Sequence, residues 1–188
     1  MNIVLRRFAL VVSMLMASLL PMAVGTAAEP IGRADGHQAG ATSNAELPQA
    51  DHILVVKHLR RLYLLRNGRT IGSFLIKLGH HPKGPKERAG DGRTPEGDYR
   101  IDWRDDKSLF TLALHISYPN LRDRERAARL HVNPGGAIEI HGEPFVAGAI
   151  SPAKLRTDWT AGCIALSNAD MRRVWDQVPD GTPIEIVP

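Results

Sequence analysis

From residue 52 to residue 78 the apolar side chains arrive in short alternating runs separated by turn residues, and a chain written this way is committed to building sheet. In 61–66, Leu62 and Leu64 fall on one face while Arg61, Tyr63 and Leu65 fall on the other, the period of two that lets a strand bury one side. Asn67-Gly68 follows, a dipeptide that accepts the left-handed backbone of a two-residue hairpin. Three strands are therefore expected, over 52–57, 61–66 and 70–78. Further strand-like runs occupy 99–103, 111–118, 137–140, 164–166 and 184–187, with Leu112, Leu114 and Ile116 sharing a face. Helix signals are fewer. The charged stretch 121–129 reads as a short solvated helix or a loop. Ser167 to Asp170 resembles a capping box, after which Met171, Val174, Trp175 and Val178 fall at the spacing of a core-facing helical stripe. The expectation is a mainly β domain with a few short helices and no internal repeat.

Residues 79–95 carry glycine, proline and basic residues in quantity and are expected to form a long loop. They are not a phosphate-binding P-loop, because no Gly-Lys-Ser/Thr ending and no apolar helix follow the glycines.

The N-terminus has a different logic. Arg6 and Arg7 precede an apolar run from Phe8 to Leu20, and Thr26-Ala27-Ala28 offers small residues for cleavage, so 1–28 reads as a secretory signal peptide. Uncleaved, the uncharged run 8–28 would be long enough to span a membrane. Pro21, Gly25 and the small-residue tail favour cleavage, and this segment is the one membrane contact expected. Residues 29–50 have little periodicity and read as a flexible linker. The remaining 51–188 is expected to be one domain in an exported, periplasmic protein. A chain of about 160 residues buries roughly 70% of its unfolded surface, enough for a core without disulfides. The chain holds 24 Lys and Arg against 20 Asp and Glu. Only Arg6 and Arg7 lie in the signal segment, which leaves a mature charge of about +2, too little to imply nucleic acid as partner.

Cys163 is the only cysteine. In an oxidising compartment it has three readings: an inert buried thiol, a partner in an intermolecular disulfide, or a nucleophile. Its neighbours Thr160, Ala161 and Gly162 are small enough for a substrate carbonyl to approach the backbone N–H groups there. The run Ala137-Ile138-Glu139-Ile140 delivers His141 at a strand end. A thiol and an imidazole together suit nucleophilic catalysis, the imidazole lowering the thiol pKa and later protonating the leaving amine. His141 reads equally as a hydrogen-bonded strand-end histidine. Of the eight histidines, His80, His81, His115 and His131 lack the helical His-x-x-x-His spacing of a zinc protease, so neither metal nor cofactor is expected. Trp159 reads as packing for the cysteine loop.

Ile140-His141-Gly142, followed after a spacer by Thr160-Ala161-Gly162-Cys163-Ile164, resembles the signature of the L,D-transpeptidase catalytic domain, the YkuD family. The resemblance extends to 56–64, to Gly90-Asp91-Gly92-Arg93-Thr94-Pro95-Glu96-Gly97-Asp98-Tyr99 and to Asn133-Pro134-Gly135-Gly136, and so covers 51–188. It implies an L,D-transpeptidase-like β-sandwich and a thioester enzyme acting on peptidoglycan stem peptides. In that reading Cys163 is the nucleophile and His141 its base, and the N–H groups of Gly162 and Cys163 receive the oxyanion. Arg93, Tyr118, Asn133, Gly142 and Thr160 are then the implied substrate contacts. Ala161 and Ala165 stand where many members carry histidine and arginine, the latter a partner for a substrate carboxylate. In this the segment is similar to the YafK-like branch, which includes an enzyme that detaches a lipoprotein from peptidoglycan. Two alternatives follow: a hydrolase or amidase releasing a lipoprotein from the stem, and a catalytically silent wall-binding module.

Overall fold

A computed structural model describes residues 47–146 and 148–188. The signal-like segment and most of the expected linker lie outside the described residues. Alternation sets the first three strands: β1 (His52–Val56), β2 (Arg61–Arg66) and β3 (Arg69–Leu75) form an antiparallel meander. At its second turn Asn67 and Gly68 both take positive φ, 51° and 71°, the backbone that a two-residue hairpin requires. Then follow β4 (Gly97–Asp105), β5 (Ala113–Ile116), β6 (Ile138–His141), β7 (Ile164–Ala165) and β8 (Pro183–Val187). The order across the sheet is β3-β2-β1-β8-β4-β5-β6-β7. Two neighbours are parallel, β1 with β8 and β6 with β7. The rest of the ladder is antiparallel.

The sheet curls until its ends meet. Past β3, Lys77 and Ala165 each donate a backbone N–H to the other's carbonyl at 2.8 Å, and His80 N donates to Thr160 O at 3.0 Å. This return lays the start of the 79–96 loop beside the cysteine turn. Inside the curl Ile53, Val55, Leu62, Leu64, Ile101, Leu114, Ile116, Ile140 and Ile164 are all fully buried. Each contributes about 1.5–3 kcal/mol relative to an exposed side chain.

Among the described residues three short helices flank the sheet. In α1 (Leu121–Arg129) Asn120 and Asp123 form a reciprocal capping box, which resolves the charged stretch as helix. α2 (Pro152–Leu155) is a single turn that carries no apolar period for a sequence reading to find. In α3 (Asn168–Gln177) Ser167 accepts from Asp170 N, and Met171 and Val174 are fully buried. Val178 is buried too, but it closes the helix in extended conformation.

Some boundaries differ from expectation for local reasons. The strand expected over 70–78 ends at Leu75, because Ile76 N turns to Arg60 O and Lys77 to Ala165. The strand expected over 111–118 shortens to 113–116, Thr111 sitting at φ 73°. The docked chain begins before Asp51: Gln177 Nε2 donates to Pro48 O, Ala50 N donates to Gln177 O, and Ala50 is buried.

Candidate active site

His141 is the last residue of β6, and Cys163 immediately precedes β7. Their strands are parallel neighbours with Ile140 opposite Ile164 and His141 opposite Ala165. Ile138, Ile140 and Ile164 point into the core, so by alternation His141 and Cys163 share the other face, two positions apart along the ladder.

The imidazole is fixed on every side. His141 is 2% exposed. Its Nδ1 lies 2.7 Å from the Gly142 carbonyl oxygen, which can only accept, so Nδ1 carries the proton and Nε2 is the free base. The Phe110 ring lies 4.4 Å away, centroid to centroid, and Trp159 stands edge-on at 5.6 Å. Trp159, expected to pack the cysteine loop, thus also bears on the histidine. Burial pulls the His141 pKa below its ordinary value, the bond to Gly142 working against that.

Cys163 is half-buried, its Sγ 3.5 Å from Ala137 O. Burial pushes the thiol up to about 11, with the Glu139 carboxylate reinforcing the rise and the Glu139 backbone N–H and Lys86 ammonium opposing it. The resting pair is therefore neutral thiol and neutral imidazole. This corrects the expectation of a thiol pKa lowered by the imidazole, since desolvation outweighs what the donors around the sulfur supply.

The turn carrying Cys163 is held by Thr160, whose Oγ1 donates to Cys163 O at 2.7 Å and accepts from Gly162 N at 3.1 Å. The Gly162 N–H, one of the two expected oxyanion donors, is thus engaged inside the turn. Gly162 has φ 145°, and a Cβ there would lie 2.7 Å from Arg93 O. Upstream, the Asp158 carboxylate accepts from Arg60 Nε and Nη2 and from Leu78 N.

Beside Cys163 opens a pocket of about 250 Å³, walled by Lys86, Ala89, Gly135, Ala137 and Ala161. Lys86 is 4% exposed; its Nζ donates to Asp91 Oδ1 at 2.8 Å and to Arg88 O at 3.1 Å. Burial disfavours the Asp91 carboxylate, but Lys86 and the N–H groups of Glu87, Arg88 and Arg93 outweigh it and hold its pKa at about 2. Lys57, also buried, ties Gly84 O, Thr94 O and Glu96 together. Two lysines thus give the long loop its shape.

The other expected substrate contacts are placed differently. The Arg93 backbone abuts Gly162, while its guanidinium turns to Pro85 O and Glu87 and lines a separate hollow with His80, His81, Pro82 and Lys83. Asn133 Oδ1 accepts from Gly135 N and its carbonyl from Ala89 N, which shapes the pocket wall. Tyr118 is buried, donating its hydroxyl to Pro134 O, and burial pushes its pKa upward. Gly142 is buried behind His141. Ala165 is 1% exposed and lines a different pocket of about 220 Å³ with Lys77, Glu143 and Trp159. Among the described residues no group of three or more His, Cys, Asp or Glu is placed to hold a metal ion. Lys86 and Phe110 belong to the site and carry no motif; Lys86 was hidden among the charges of a loop.

The chain matches the profile of the YkuD family, described as the L,D-transpeptidase catalytic domain, over residues 50–186, and it belongs to that family. Among solved structures it is similar to Bd1075 of Bdellovibrio bacteriovorus, at 25% identity and TM-score 0.52, covering 77% of this chain and 50% of that one. It is also similar to Pgp2, a helical cell shape determining protein from Campylobacter jejuni, at 25% identity and TM-score 0.55, covering 76% and 50%. An L,D-transpeptidase from Xylanimonas cellulosilytica DSM 15894 gives 19% identity and TM-score 0.48, covering 74% and 61%. The chain spans about half the length of the first two. No curated protein matches it by sequence.

Proposed function

We propose that the domain is a cysteine acyltransferase acting on peptidoglycan stem peptides. One observation carries the reading: an imidazole locked by its Nδ1 proton on Gly142 O, with Nε2 bare, on the same face and the adjacent strand as the sole cysteine. His141 Nε2 takes the thiol proton as Cys163 Sγ attacks a stem-peptide carbonyl carbon, so charge appears only as the bond forms. The Cys163 N–H receives the oxyanion, worth about 3 kcal/mol if lost. Collapse expels the leaving amine, which takes the proton from the imidazolium and leaves a thioester. An incoming amine that attacks the thioester completes transpeptidation, whereas water completes hydrolysis. The stem peptide enters the pocket walled by Ala137, Gly135 and Lys86, with Thr160 holding the turn behind it.

Peptidoglycan places the protein's work in the periplasm or cell wall, in keeping with the signal-like segment, and Pgp2 offers cell shape as the setting. Among the described residues no helix is long and apolar enough to cross a membrane. Release of a stem-linked lipoprotein stays as the second reading, because Ala165 brings no arginine for a terminal carboxylate. The purified protein is to be incubated with stem-peptide fragments, with and without an amine acceptor, and examined by mass spectrometry. A covalent adduct on Cys163 and new products are expected, and both should be lost in Cys163→Ala. Turnover by Cys163→Ala near the wild-type rate would end the proposal.

A further inference from the structure

The carbonyl that orients His141 belongs to a peptide unit held at both ends. Gly142 O accepts from His141 Nδ1 at 2.7 Å, and the N–H of the same Gly142–Glu143 peptide donates to Asn168 Oδ1 at 2.8 Å. A peptide plane is rigid, so an acceptor fixed on its N–H fixes the direction of its C=O. Hydrogen bonds in series also polarise one another, which makes Gly142 O a stronger acceptor.

Asn168 is well founded for this task. It is the first residue of α3, whose Met171 and Val174 are fully buried in the core. The approach is close: a Cβ at residue 142 would lie 2.4 Å from Asn168 Oδ1 and 2.8 Å from Phe110 O. Glycine at 142 is therefore a condition of the contact. The helix does not need Asn168 Oδ1 for its own start, because Ser167 Oγ already accepts from Asp170 N at 3.1 Å. The oxygen is spent instead on an N–H 25 residues away.

We propose that Asn168 is a positioning residue for His141, acting through the Gly142–Glu143 peptide to hold the imidazole in the Nδ1–H tautomer with Nε2 bare for Cys163. This rests on the cysteine–histidine reading above. Its test uses the full chain with Asn168→Asp, Asn168→Ala and Asn168→Ser, and Cys163→Ala as reference. Asn168→Asp keeps an oxygen acceptor at the same reach and should retain near wild-type kcat. Asn168→Ala and Asn168→Ser should lower kcat by roughly 10- to 100-fold with KM little changed, the scale of a misplaced reacting group. Nitrogen-15 NMR of the His141 ring reads the tautomer without turnover: one Nδ1–H form in the wild type, a mixture in the alanine and serine variants. Wild-type kcat and an unchanged ring spectrum in both would overturn the proposal, and so would loss of folding in both, which would make Asn168 a structural residue only. Activity surviving in Cys163→Ala would instead remove the cysteine mechanism, while the ring spectrum still decides what Asn168 does.

Discussion

At Cys163 and His141 burial opposes both charges that an ion pair would need, lifting the thiol to about 11 and drawing the imidazole down. The pair therefore waits neutral, and its pH dependence has a definite sign. The proposed mechanism uses His141 unprotonated, and burial draws its pKa below the ordinary 6.5, so the acid limb of kcat/KM is expected below pH 6.5. An acid limb above pH 6.5 would contradict this placement of the histidine. The same shifts bear on stability. As pH falls from 6.5, the unfolded imidazole gains a proton before the folded one, and stability is lost through that window. As pH rises from about 9 to about 11, the unfolded thiol ionises first, and stability is lost again. Both residues were legible in the sequence because a lone cysteine and a strand-end histidine are conspicuous. Their protonation states were not, because desolvation depends on Phe110, Trp159 and the curl of the sheet.

At the scale of elements, the 79–96 loop is the part that periodicity could not read. Its order comes from side chains with no pattern: Lys57 on Glu96, Gly84 and Thr94, and Lys86 on Asp91. The strands around it were legible from alternation alone, and the start of α3 from Ser167 and Asp170. The loop meets the cysteine turn where Arg93 O lies against Gly162. Gly162→Ala is expected to be inactive and less stable, since φ 145° and a backbone oxygen 2.7 Å from the new Cβ leave neither partner a flexible end to move. Thermal melting and turnover check this, and a variant with wild-type melting temperature and kcat would mean that the turn is softer than its geometry. Lys57→Met separates the loop's contribution from that of the turn. Losing one partner of a buried pair costs about 3 kcal/mol, with Cys163 and His141 untouched.

For the whole molecule, the closing of the sheet decides which charges substrate can meet. Because Lys77 and Ala165 exchange backbone bonds, residue 165 is sealed into the closure, and the cation at the Cys163 pocket is Lys86 from the returning loop. Two of its three N–H donors are already taken, and Asp91 balances its charge. A bidentate guanidinium supplies both charge and orientation to a carboxylate, and a neutralised ammonium supplies little of either. Weak dependence on a free terminal carboxylate in the donor stem is therefore expected. A tetrapeptide-bearing fragment should be processed no faster than a fragment whose stem is joined to a lysine side chain, as in an attached lipoprotein, each measured with and without free amine. Cleavage of the lysine-linked stem at a comparable or higher rate supports release of an existing linkage. Efficient crosslinking of the tetrapeptide with no cleavage of the lysine-linked stem would contradict this. Lys86→Gln would then be the variant to show that this ammonium replaces the absent arginine, through a raised KM for the tetrapeptide alone.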